Sequence, residues 1–454
     1  MDRVLHSRFL NALPYSLFLL GVALVALAAL NYLTSVSQTE NAVVNAPTQS
    51  WTPTDLLLER LQQRLRGYPA DPEAYLRLGG AYLQKARETG DSSYYARAEE
   101  ALLKALELYP DSTQAMTLLG AIALGRHEFQ KALEWADRSL EISPAYAGAY
   151  GALGDSQVEL GQYEAAFESF QRMVDLKPNL DSYARVSYAR ELTGDVEGAM
   201  EAMQLAVANG TPGTEGTAWA RVQLGDLYFN SWRIDEAAEQ YQAALTDFSG
   251  YHLALAALGK ARAAQGRYAE AIQFYQQATT IIPQPTTLAA LGDLYARTGE
   301  PAQAQLQYNT VEFIGKLSSF NQQVYNRELA LFYADHDIKL GEALALTTRE
   351  IKVRQDIYGY DALAWALFKN GRLTEAAAAV AEAMKLKTQD SSIYYHAGMN
   401  YYRLGDQQQA RQYLQQALDL NPHFSVLHAD QAKSILEELN KKLAPASVRR
   451  GATQ

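Results

Sequence analysis

The feature that most limits what this chain can fold into is a period. Gly225, Gly259 and Gly292 stand 34 and 33 residues apart, and small residues keep fixed offsets around them. In the stretch from about Leu253 to Pro283 these are Gly259, Gly266, Ala271 and Ala278, with Tyr275 between the alanines. A repeat of that length, with small residues fixed and the rest free, marks a helix–turn–helix array. Each unit of such an array buries its apolar face against its neighbours, so the 454 residues need not share one core.

Composition removes several functions. With 48% hydrophobic and 20% charged residues the chain has the make-up of a folded protein. Its net charge of -11 leaves no basic stripe to neutralise phosphates, so nucleic-acid binding has no electrostatic footprint. The absence of cysteine excludes disulfides, thiolate metal sites and cysteine nucleophiles.

Ten units can be read in order. The first carries Tyr75, Gly79 and Tyr82, then Ala98, Leu102 and Ala105, with extra residues around Glu88 to Tyr94. Next come Gly120 with Ala132, Gly154 with Ala166 and Phe170, and a degenerate unit with Ser187 at the glycine position. Gly225 with Tyr241, Gly259 with Tyr275 and Gly292 with Tyr308 follow. The rhythm then slips by some residues to Leu331, and the segment from Glu312 to Tyr333 reads as two lengthened helices. Ala364 and Gly398 begin the last two units. Two helices are expected to cross closely where each glycine meets the alanine of the second helix, and a larger side chain would overpack the contact.

These residues resemble the tetratricopeptide repeat (TPR) family over about 70 to 422. The resemblance implies an all-α fold, an α-α superhelix (TPR solenoid) of about ten helix–turn–helix repeats. It implies protein–protein interaction and assembly work, no catalysis and no cofactor. The expected order is a capping helix over 53–69, an N-terminal part of the array over 70–317 and a C-terminal part over 318–422. A capping helix over 423–443 and a disordered tail over 444–454 complete it. Members that bind acidic chaperone tails use a Lys and Asn clamp. The matching positions here hold pairs such as Leu76 and Gly80, Val222 and Asp226, or Ala256 and Lys260, so that docking mode is not expected.

In this family the first helix of each unit faces the concave side. Those offsets place Trp219, Phe229, Tyr325, Phe332, Tyr358, Trp365, Phe368, Tyr395 and Tyr402 in the groove, where aromatic rings would anchor a peptide segment. The competing reading is that the rings pack between adjacent first helices. Asp155, Asp226 and Asp293 recur on the same face, either attracting a basic partner or serving as solvated filler after glycine.

The N-terminal end suggests a membrane. Residues 13–33 carry no charge and match the roughly 30 Å of a hydrocarbon core at about 20 residues. Arg3 and Arg8 precede them and no Lys or Arg follows until Arg60, which puts residues 1–12 in the cytoplasm and the array outside it. A cleavable signal peptide ending near Ala26-Leu27-Ala28 is the alternative, although its apolar core would usually be shorter. Residues 34–52 read as a flexible polar linker. The whole resembles bacterial proteins in which one membrane helix carries an extracytoplasmic array.

No catalytic constellation emerges. His127-Glu128 lacks the second histidine of a zinc protease motif, and there is no phosphate loop or nucleophile elbow. Asp335-His336-Asp337 reads as a solvated turn before a metal site, and His423 and His428 are expected to face water on the cap helix. The leading expectation is a membrane-anchored scaffold or adaptor. The alternatives are a holdase in envelope or cytochrome assembly, and a non-catalytic subunit of an envelope peptidase or glycosyltransferase.

Overall fold

The computed structural model describes residues 52–320 and 327–443, the side chains of 318–320 excepted. The apolar run 13–33, the linker up to residue 51, Tyr325 and the tail 444–454 lie outside the described residues. Among the described residues there are 22 helices and no strand. None of these helices is long and apolar enough to cross a membrane.

Helix α1 (Pro53–Gly67) precedes ten pairs. Units 1 to 4 are α2 (Pro72–Thr89) with α3 (Ser93–Leu108), α4 (Thr113–Gly125) with α5 (Phe129–Ile142), α6 (Ala147–Glu159) with α7 (Tyr163–Leu176), and α8 (Leu180–Leu192) with α9 (Val196–Ala208). Units 5 to 7 are α10 (Glu215–Asn230) with α11 (Ile234–Asp247), α12 (His252–Ala264) with α13 (Tyr268–Ile281), and α14 (Pro285–Arg297) with α15 (Pro301–Phe320). Units 8 to 10 are α16 (Arg327–Asp335) with α17 (Leu340–Glu350), α18 (Ile357–Lys369) with α19 (Leu373–Ala383), and α20 (Ser391–Leu404) with α21 (Gln407–Leu420). Helix α22 (Ala429–Leu443) closes the array.

Local chemistry starts these helices where the sequence supplies an oxygen. Asp71 accepts from the Ala74 amide ahead of Pro72, Asn179 and Ser182 form a capping box, and Asp390 accepts from Ser392 and Ile393. Where the rhythm slips, one helix is lengthened: α15 runs for 20 residues, while α16 is described from Arg327 only. The C-terminal helix begins at Ala429 and not at His423. Residues 421–428 are irregular instead.

The repeated glycine makes room for a large side chain of the second helix, a ring opposite Gly154, Gly225, Gly259 and Gly292 and a leucine opposite Gly79 and Gly398, not for the alanine the sequence suggested. A Cβ built on Gly225 would lie 2.4 Å from the Tyr241 ring, one on Gly292 2.4 Å from Tyr308, and one on Gly154 2.4 Å from Phe170. Each ring comes from the second helix of the same unit, 16 residues on. Units without the glycine carry a smaller partner at that offset: Ser187 has Met203, Leu331 has Thr347 and Ala364 has Val380. The pair conserves volume, as close packing requires. Unit 2 has Ala136 there, and a Cβ on Gly120 meets nothing nearer than 3.4 Å. Gly225→Ala is therefore expected to cost about 1–3 kcal/mol in urea unfolding, and Gly120→Ala close to nothing. Equal losses at both positions would contradict this packing rule.

First helices touch one another from unit to unit, as α4 touches α6 and α16 touches α18, while second helices are splayed. This places the first helices on the inside of the curve. The curve closes on itself. The turn inside each of several units docks on the connection six units later. Gly90 meets Ile282; the Tyr163 hydroxyl accepts from the Ile357 amide; the Thr388 hydroxyl donates to the Leu192 carbonyl; Asn421 donates to the Phe229 carbonyl. The three hydrogen bonds join residues 194, 196 and 192 apart. One superhelical turn thus takes six units, and the second turn stacks on the first. Glycine is needed at two of these contacts. Gly161 and Gly194 have φ of 74° and 80°, and a Cβ there would lie 2.8 Å and 2.7 Å from the carbonyl oxygens of Gln355 and Lys387.

Candidate functional site on the concave face

The concave face is built from the inward sides of the first helices. Asp155, Asp226 and Asp293 on it are neither filler nor free to take a partner's charge. The Arg185 guanidinium grips Asp155 with two bonds of 2.9 and 2.6 Å. Asp226 accepts from the Tyr241 hydroxyl at 2.9 Å and from Lys260 at 2.6 Å. Asp293 accepts from Tyr308 at 2.9 Å and lies 2.8 Å from His336 Nε2. Each carboxylate ties its own unit to the next. The ring opposite the glycine doubles as a donor in two of the three.

The aromatic residues separate into two sets. Phe229, Phe332, Trp365, Phe368 and Tyr395 are buried, whereas Trp219, Tyr358 and Tyr402 are half-buried. Trp365, only 1% exposed, stacks on Phe368 at 4.9 Å and on His396 at 4.3 Å. Its indole donates to Asp335 at 2.8 Å. Tyr395 stacks on His428 at 5.0 Å and donates to Gln431 at 2.7 Å. Phe332 packs on Tyr308 and His336 in a neighbouring cluster, and Phe229 lies under the Lys260 amine. Tyr402 donates to Glu438 of the closing helix. The structure thus brings Trp365, Phe368 and Tyr395 into one cluster and leaves Trp219, Phe229 and Phe332 in others.

Beside that cluster lies a cavity of about 340 Å³. Asp335, Asp361, Asp390 and His396 line it, with Tyr358 and Tyr395 as walls and Phe424 and His428 at one side. Asp335 and His336 are therefore a structural hub, not a solvated link, since they bond to Trp365 and Asp293 on the first helices of two other units, while Asp337 is exposed beside Lys369. Asp335 also lies 3.1 Å from His428 Nε2. Burial would raise the Asp335 carboxyl, but the His428 and Trp365 hydrogen bonds outweigh it and hold it below the usual value. His428 does not sit on a helix facing water, and His423 stacks on Trp232 at 4.9 Å.

Glu191, His336 and His396 each make stability fall as pH rises. Burial, with Asp390 and Asp226 nearby, raises the Glu191 carboxyl from 4.5 to about 7. Burial lowers His336 and His396, yet the carboxylates of Asp293 and Asp361 outweigh it and raise both above 6.5. A group raised on folding binds its proton more tightly in the folded chain. Its contribution is full below the unfolded value and is lost as pH rises through the folded one. The unfolding midpoint should therefore fall between pH 6 and pH 8. Glu191→Gln should raise stability at pH 8 by on the order of 1 kcal/mol, with a much smaller gain at pH 5. A variant whose midpoint falls as steeply as the parent's would contradict this.

Family models described as tetratricopeptide repeat match residues 83–147 and 222–284, 147–180, and 391–424. Over 232 residues the chain is 28% identical to Protein O-mannosyl-transferase TMTC1 of Homo sapiens, covering 49% of this chain and 25% of that protein. It is 30% identical over 98 residues to a UDP-N-acetylglucosamine–peptide N-acetylglucosaminyltransferase of Giardia intestinalis, covering 21% of this chain and 7% of that one. It is 24% identical over 118 residues to the mitochondrial import receptor subunit TOM70 of Rattus norvegicus, covering 26% and 19%. The matches thus span a quarter or less of these relatives' length. Among solved structures, yeast Tom70 aligns at 15% identity and a TM-score of 0.38, covering 88% of this chain and 99% of that one.

Proposed function

Because the chain belongs to the tetratricopeptide repeat family, we propose that it is a scaffold whose concave face holds segments of other proteins. The observation that carries the reading is the inner face itself. First helices from successive units line it, half-buried rings such as Trp219, Tyr358 and Tyr402 stand on them, and Tyr358 borders a cavity large enough for a side chain. Half-buried aromatic residues at such a surface supply contact area at low entropic cost. The chain acts by positioning its partner and carries out no chemistry of its own. Residues 13–33 anchor it in a membrane, with the array on the extracytoplasmic side, where it serves the assembly of an envelope or membrane complex. A second reading, the non-catalytic subunit of a glycosyltransferase, is favoured by the transferase names of two relatives.

Photo-crosslinking amino acids placed at Trp219 and Tyr402 test the binding face against Leu103 and Leu205, which are exposed on second helices. Discrete adducts are expected from the concave pair alone. Adducts of equal yield from the outer pair would overturn the reading. For the anchor, protease added to spheroplasts should digest the array, and its full protection would sink the proposed orientation.

A further inference from the structure

Between α21 and α22 the chain abandons the helix for residues 421–428. That segment is held along its length by other units. Asn421 donates to the Phe229 carbonyl at 3.0 Å and Arg297 to the Val426 carbonyl at 3.3 Å. The Phe424 ring lies 5.5 Å from Tyr395. His428 stacks on Tyr395 and reaches Asp335, the carboxylate that also takes the Trp365 indole. Phe424, Ser425 and His428 form one side of the cavity whose other walls include Tyr358, Asp361 and Asp390. The segment itself is shallow: Phe424, Val426 and His428 are half-buried, and His423 and Leu427 are exposed.

An irregular stretch of backbone that places a ring on a tyrosine and an imidazole on a carboxylate is bound as a peptide ligand would be. A ring in an aromatic recess and a donor on a half-buried carboxylate are the usual anchors of recognition. We propose that residues 421–428 are the built-in occupant of a peptide site on the first helices of units 8 to 10. A client segment displaces them when it offers an aromatic residue followed four positions later by histidine or a basic residue. The ring replaces Phe424 on Tyr395 and the donor replaces His428 on Asp335. This rests on the reading of the concave face as the binding face.

The probe is a labelled synthetic peptide of residues 419–431, added in trans to the full chain. Phe424→Ala with His428→Ala weakens the internal segment, and this double variant is expected to bind the peptide at least tenfold more tightly than the parent. Asp335→Asn in the same background should abolish the gain. Equal affinity for parent and double variant, or no binding to a double variant of intact helicity, would overturn the proposal. If the double variant loses helicity, hydrogen exchange on the parent decides. Saturating peptide should speed exchange at residues 423–428, and unchanged exchange there overturns the proposal. Such a failure leaves the concave crosslinks in place, whereas their absence from both parent and double variant would sink the scaffold reading itself.

Discussion

Arg354→Ala is expected to destabilise the array by about 3–5 kcal/mol and to let its two turns part. The guanidinium, 11% exposed, bonds to Glu159 of unit 3 through Nε and, at 3.1 Å, through Nη2. It also lies 3.5 Å from Glu350 and 3.9 Å from Asp356, over the face of Phe129. Glu350 and Asp356 are 2% and 3% exposed, and Arg327 is the other cation within reach, 3.0 Å from Asp356. Burial works against the charge on Arg354, but the bond to Glu159 and the surrounding carboxylates more than restore it. Removing the arginine leaves three carboxylates in a partly desolvated site with one cation between them. That uncompensated charge, more than the lost bonds, sets the size of the effect. Arg354→Lys should recover only part of the loss, since an ammonium cannot match the fork. Urea unfolding measures the cost, and small-angle scattering should report a larger radius of gyration. An unchanged radius would mean that this network does not hold the turns together.

The second large effect is expected at Trp365, where alanine should cost about 3–5 kcal/mol. The indole fills the contact between α16, α18 and α20 and carries a cation, Lys369, at 4.7 Å from its ring. Its removal opens a cavity that the stacked Phe368 and His396 cannot both fill, and it leaves Asp335 with His428 alone. Trp365→Phe separates the two contributions. It keeps most of the stacking but loses the N–H bond, so about 1–2 kcal/mol should go. Thermal unfolding followed by circular dichroism checks both. A neutral alanine variant would show that the ring is a surface anchor after all.

That contrast shows where the sequence was readable. Helix pairs, unit order and the glycine positions were legible because the same contact is made again in every unit. Its residue types therefore recur every 33 or 34 positions. The partner of the glycine was legible too, at an offset of 16 residues, but only by comparing Tyr241, Tyr275 and Tyr308 with Met203, Thr347 and Val380. The aspartate ties left a fainter trace. Asp226 and Lys260 follow the glycine in consecutive units, so their charges stack along the groove.

What could not be read was how the units add up. A small rotation per unit decides whether six or more make a turn, and no single unit encodes the sum. Glu159 and Arg354 are 195 residues apart, and nothing in either neighbourhood names the other. The aromatic stripe suffered in the same way. Helical spacing put Trp365 and Tyr395 on first helices, but it did not show that Trp365 would be enclosed by Phe368 and His396 or that Tyr395 would stack on His428 of a segment outside the helical pattern. An apolar pattern reports which face is inward and is silent on what lies over it.

The closure of the superhelix in six units is the claim on which the site, the network and the covering segment all depend. The chain has no cysteine, so a pair can be introduced cleanly. Trp232 and His423 belong to successive turns and their rings stack at 4.9 Å. With Trp232→Cys and His423→Cys, a short bismaleimide should join the two within one chain at high yield, and denaturant should abolish the reaction. A folded double variant that gives only singly modified chains would show that the turns do not touch.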